Sequence, residues 1–146
     1  MRISAHRMAL AAFSALAATT LFSAPAGATV FNQGISVHHD AYVAADGTVT
    51  LSGSYHCEQA SPTGAMQIRA TVVQEDGHRL SVGAEQPVCD GTERRWVATA
   101  PGRWVNVRPG HAVVTAELQE VRLSGLMPKS VATVARDTKD VEVRRH

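Results

Sequence analysis

The sequence is poor in aromatics and cysteine and has no surplus of charge of either sign. Aromatic residues are 5% of the 146, too few for the row of exposed rings on which a carbohydrate-binding face stacks its sugars. Lys and Arg number 14 against 13 Asp and Glu, scattered along the chain. That balance excludes the basic stripe of a nucleic-acid binder and the polybasic patch of a protein held at an anionic surface by charge alone. No apolar run reaches the about 20 residues a spanning helix needs. C-x-x-C, H-x-x-x-H and G-x-S-x-G are all missing, and with them the sequence signatures of a redox dithiol, a helical metal pair and a nucleophile elbow. No tandem repeat, heptad or low-complexity linker is present.

The first residues carry their own pattern. Arg2 and Arg7 precede an apolar run from Met8 to Phe22, and small residues follow at Ala26 and Ala28. A basic start, a short apolar middle and an A-x-A end predict a secretory signal peptide over residues 1–28, cut after Ala28 or, alternatively, after Ala26. The expected product is one domain, residues 29–146, secreted and extracellular, with no stable membrane insertion after cleavage. Loss of Arg2 and Arg7 leaves 12 basic against 13 acidic residues.

Cys57 and Cys89 are the only cysteines. Outside the cytosol an even number of thiols favours disulfide bonding, and two allow one intramolecular bridge. Such a loop, 32 positions long, corresponds to about 3.5–4 kcal/mol in the chain-entropy model. Intermolecular pairing and free thiols are the alternatives. A reactive thiol would need a depressed pKa, which Arg94 and Arg95 could provide, and a partner base; His56 adjoins Cys57, but strand neighbours point to opposite faces, so it faces away from the sulfur.

Between turn signals the chain alternates with period two. Asp46-Gly47, Asp76-Gly77, Asp90-Gly91, Pro101-Gly102 and Pro109-Gly110 mark turns. Val49, Leu51, Tyr55 and Cys57 share one face of a strand, with Thr50, Ser52, Ser54 and His56 on the other. Gly53 falls on the inward face and marks a bulge or a close packing point. Met66 to Val82 reads as a hairpin turning at Asp76-Gly77. "RRWVATA" and "HAVVTAEL" are further strands, "ISVHHDAYV" is a single first strand, and the tail is one long bulged strand or two turned at "RDTKD". Leu118 to Ser130 suits a helical turn or a strand end. Seven to eight short strands predict an all-β fold, an antiparallel β-sandwich, with a small barrel as runner-up.

"ADGTVTLSGSYHC", "PVCDGTERRWV" and "VRPGHAVVTAEL" together resemble a family of small secreted actinobacterial domains of unknown function, over Ala45 to about Leu118. The resemblance implies an immunoglobulin-like sandwich with a Cys57–Cys89 disulfide, and it supplies no catalytic residue. Neocarzinostatin-like carriers and small secreted subtilisin inhibitors are similar in size, but both carry two disulfides.

Two clusters are candidate sites. Trp104, with Arg103 and Arg108 close in sequence, is the candidate binding residue set, because an exposed tryptophan anchors a sugar or a protein partner. His38 and Asp40 have the donor atoms for a metal ion. Trp96 is assigned to the core. The reading is a non-enzymatic structural or interaction module for a protein or glycan, with no cofactor and no nucleic acid. The alternative is a carrier of a small molecule or metal ion using the histidines near the first strand.

Overall fold

The computed structural model describes residues 32–58, 64–104 and 106–146. The proposed signal peptide, residues 1–28, lies outside the described residues. Among the described residues no helix is long and apolar enough to cross a membrane.

Among the described residues eight strands follow in order: β1 (Gly34–Val37), β2 (Asp40–Val43), β3 (Val49–His56), β4 (Gly64–Gln74), β5 (Arg79–Gly83), β6 (Arg94–Ala100), β7 (Gly110–Ser124) and β8 (Met127–Arg145). A 3₁₀ turn, Gly102–Trp104, lies between β6 and β7. One layer is β1-β3-β6; the other is β5-β4-β7-β8, joined by β2. Every pairing is antiparallel except β2 with β8, which is parallel. This is an immunoglobulin-like β-sandwich, in which the opening strand serves both layers. At the far side a single bridge, Ala84 to Ala98, ties β5 to β6.

The two-layer packing explains the periodicity. Val49, Leu51 and Tyr55 of β3, Met66, Ile68, Ala70 and Val72 of β4, and Ala112, Val114, Ala116 and Leu118 of β7 are buried in one cluster. Trp96 is 3% exposed and belongs to that core. Its indole Nε1 donates to the Ser36 carbonyl, 3.0 Å away, by passing across Gly53. A Cβ on Gly53 would lie 1.8 Å from that carbonyl oxygen and 2.5 Å from the indole nitrogen. Gly53 is therefore the close packing point, with no bulge in its pairing to β1 or β6.

Two features differ from the sequence reading, and a third decides between its alternatives. The opening strand is two strands, not one. Val37 pairs with Gly53 and Tyr42 with Thr50, so the first strand spends two more residues than its partner between those points. His38-His39 is the step that carries the chain from one layer toward the other. The segment from Leu118 to Ser130 is strand on both sides of a tight turn at Gly125-Leu126, with no helical turn. The tail is the one long bulged strand of the two alternatives, with register shifts that leave Lys129 and Val134 unpaired on β8.

Cys57 and Cys89 are disulfide-bonded, with Cα atoms 4.6 Å apart. Cys89 lies on an irregular arm, residues 84–93, that runs along the end of β3. The Tyr55 hydroxyl accepts the Val88 N–H at 2.9 Å, and the Gly91 N–H donates to the Cys57 carbonyl at 2.9 Å. Asp90 gathers the arm's turn: it accepts from the Arg94 guanidinium and from the Thr92 amide and hydroxyl. The Arg94 hydrogen bond first, then those of Thr92, hold the Asp90 carboxyl below the usual carboxylate range, and Arg94 is raised in turn. Asp-Gly serves twice more in this way. Asp46 and Asp76 each accept the amide two residues on, ahead of a glycine at positive φ.

Candidate functional site

The step at His38-His39 opens a groove of about 410 Å³ on the outer side of the first layer, lined by Ser36, His38, His39, Asp40, Tyr42, Ser52, Ser54, Arg95 and Lys139 among others. Strand register assembles it. The outward residues of β3, Ser52 and Ser54, stand between Ser36 of β1 and Arg95 of β6, because Ser54 pairs with both Ser36 and Arg95. Cross-strand partners project to the same side. The Ser36 and Ser54 hydroxyls are 2.7 Å apart, and His38 Nδ1 lies 3.2 Å from the Ser52 hydroxyl.

One wall is built by β8. Asp137 accepts the Val37 N–H at 2.8 Å, and the Lys139 ammonium donates to the Val37 carbonyl at 2.7 Å. Two side chains thus satisfy the backbone of one residue where β1 and β8 stand too far apart to pair. Asp40 is held by Arg144, Nε to Oδ1 3.1 Å. The groove's carboxylate is committed, whereas Arg95 is exposed and has no ion-pair partner among the described residues. The groove offers hydroxyls, imidazoles and one available guanidinium.

Among the described residues that set does not assemble a Ser-His-acid triad. The His38–Ser52 contact accompanies a backbone hydrogen bond between the same two residues, His38 N–H to Ser52 carbonyl, 2.9 Å. No carboxylate hydrogen-bonds His38 among the described residues, so the third member of a triad is missing there. His38 and Asp40 turn to different partners, Ser52 and Arg144. Among the described residues no three His, Cys, Asp or Glu side chains gather for a metal ion.

The second cluster lies between β6 and β7. Arg103 is exposed in the 3₁₀ turn, and Gly102 packs so closely on Gly47 that a Cβ there would lie 2.4 Å from its backbone. The Trp104 side chain lies outside the described part of the structure. Arg108 is fixed through its backbone: Gln74 Nε2 donates to its carbonyl at 2.8 Å, and its N–H donates to Gln74 Oε1 at 3.0 Å. The Gln74 amide acts as one rung of a sheet and pins the loop before β7. The structure places Arg103 and Arg108 in the segment between β6 and β7.

Sequence reasoning missed Ser36, Ser52, Ser54 and Lys139 as groove residues, and read Arg94 and Arg95 as a solvated turn face that could also hold an acidic partner. The alternation of Thr50, Ser52, Ser54 and His56 was a visible signal, read only as a solvent face. Their meeting with Ser36 and Arg95 depends on register between strands distant in sequence, which alternation alone does not carry.

The chain belongs to a family of unknown function (DUF6299), whose model matches residues 31–146. None of the curated proteins matches the sequence. Among solved structures, AggA, the major subunit of aggregative adherence fimbriae type I from Escherichia coli, aligns with a TM-score of 0.41 at 5% identity, covering 80% of this chain and 95% of that one. The Pseudomonas fluorescens alkylpurine DNA glycosylase AlkC, bound to DNA containing an abasic site analog, aligns at 0.38 with 15% identity, covering 75% of this chain and 30% of that one. Likenesses this distant do not bear on what the chain does.

Proposed function

We propose that residues 29–146 form a secreted, non-enzymatic interaction module that binds an acidic glycan in the groove beside β1. Export is supported by the signal-like pattern of residues 1–28 and by the Cys57–Cys89 disulfide, a bond that persists in oxidising compartments. The single observation that carries the binding reading is Arg95. It is a guanidinium without a carboxylate partner among the described residues, in a groove whose other polar groups are mostly hydroxyls and imidazoles.

The chemistry follows from those groups. A guanidinium takes a carboxylate through two parallel hydrogen bonds. Serine hydroxyls both donate and accept, matching the hydroxyls of a sugar ring. Tyr42, 38% exposed, also lines the groove, with its ring beside that of His146.

The experiment is titration calorimetry with oligogalacturonate, with a neutral malto-oligosaccharide as control. The acidic oligosaccharide should bind in a salt-sensitive manner, the neutral one should not, and Arg95→Ala should weaken binding about tenfold. Absence of binding to the acidic saccharide, or an Arg95→Ala variant that binds as well as wild type, sinks the reading. Preference for a carboxylate-rich peptide reassigns the groove to a protein partner. Mass spectrometry of the released protein checks export separately: the expected species begins at Thr29 and is two hydrogens lighter than its reduced form.

A further inference from the structure

The β7–β8 hairpin ends in an apolar tip. Leu126 is 99% exposed, Met127 71%, Val131 55% and Leu123 42%. Leu126 occupies the turn itself. Val121 pairs with Val131 and Leu123 with Pro128, so these four share one face of the ribbon behind it. Large apolar side chains scattered singly over a surface need no explanation, but here they are gathered at one end of one hairpin.

Charge around the tip is of one sign. From Val121 to Ala135 the sequence holds no acid, and Arg122 and Lys129 flank the turn. Arg122 leans back toward Glu120 at 3.4 Å. Lys129 has no ion-pair partner among the described residues and sits a few positions behind the apolar turn. Apolar side chains foremost with cations just behind them suit the boundary between acyl chains and anionic headgroups, where a lysine stem lies along apolar surface and its ammonium reaches phosphate.

The backbone argues against a second copy of the chain as the occupant. The outer edge of β8 near the tip is where strand addition would occur, yet it carries Pro128, which lacks an N–H, then Lys129, and two register shifts at Lys129 and Val134. Proline, lysine and bulges are the devices that protect an edge from pairing. We infer that this hairpin tip is a peripheral membrane contact, with Leu126 and Met127 dipping into the interface of an anionic bilayer and Lys129 meeting its headgroups. The contact is reversible, uses a surface separate from the groove, and does not depend on what the groove binds.

The test is co-sedimentation of the full chain with phosphatidylglycerol–phosphatidylcholine vesicles and with phosphatidylcholine vesicles alone. Wild type is compared with Leu126→Asp and with Lys129→Glu, so any lipid contact made by residues 1–28 is common to all three. Wild type should bind the anionic vesicles preferentially, Leu126→Asp should lower the bound fraction at least about tenfold, and Lys129→Glu should lower it severalfold and flatten its salt dependence. Equal binding by wild type and Leu126→Asp overturns the proposal. So does a wild-type dimer in equilibrium sedimentation that Leu126→Asp converts to monomer without any difference on vesicles. The substituted positions are exposed, and unchanged melting temperatures establish that a loss of binding is not a loss of fold.

Discussion

The Cys89 arm and the β7–β8 hairpin stand at the same end of the sandwich and are held in opposite ways. The arm has almost no regular pairing. It is fixed by a disulfide, the Tyr55 hydroxyl, one bridge from Glu58 to Asp90 and the hydrogen bonds gathered on Asp90. The hairpin has an extensive ladder from Gly110 to Met127 but outruns the core, so that beyond Glu120 its residues become exposed. One segment is specific in its contacts and irregular in its backbone; the other is regular in its backbone and sparse in its contacts. Backbone order and tertiary anchorage are thus separable within one small domain, and the segment with less anchorage is the one that presents apolar side chains to the surroundings.

Removal of the anchors should affect the two regions unequally. The largest effect is expected from Trp96→Ala, which deletes a buried indole and the hydrogen bond that ties β6 to β1 across Gly53; loss of about 3–5 kcal/mol in urea unfolding is expected. Next, Cys57→Ala with Cys89→Ala should cost roughly 2–5 kcal/mol. Hydrogen exchange should then quicken at Val88 and Gly91 while the middle of β7 stays protected; equal quickening in both would remove the distinction drawn between arm and hairpin. A smaller effect is expected at Asp90. Its carboxyl is held low in the folded state, so the stability it contributes is full above the ordinary carboxylate range, about pH 3.9, and is lost as pH falls toward the lower folded value. Asp90→Asn should therefore lower the melting temperature slightly at neutral pH, and the two curves should converge in strong acid. Least of all, Leu126→Ser should change stability by no more than about 0.5 kcal/mol, which sharpens the comparison by showing that the tip is not part of what holds the fold together.

Much of this architecture was legible in the residues. Wherever one face of a strand meets the core, period-two alternation named the buried residues: Ala112, Val114, Ala116 and Leu118 are all inward. Asp-Gly pairs located their turns because carboxylate and glycine together encode them locally. The opening strand was misread because "ISVHHDAYV" has no breaker at His38-His39; what divides it is a change of partner, from β3 alone to β3 and β8, which no local signal records. The segment around Gly125 was ambiguous because Leu118, Val121 and Leu123 fit either period once the strand leaves the core. The groove was illegible for a related reason. Serine and histidine on an outward face look like solvated surface until register brings Ser36, Ser54 and Arg95 side by side. Gln74 likewise gave no sign that its amide would stand in for a strand at Arg108.

The parallel pairing of β2 with β8 has a consequence in time. Val37 is bound by Asp137 and Lys139, partners 100 and 102 positions away, so the opening strand cannot complete its contacts until nearly all of the described chain is present. Contacts this remote carry a large loop-closure entropy and slow the final step of folding. The last strand to arrive is the one that closes the sandwich, so the first strand of the chain waits on the last.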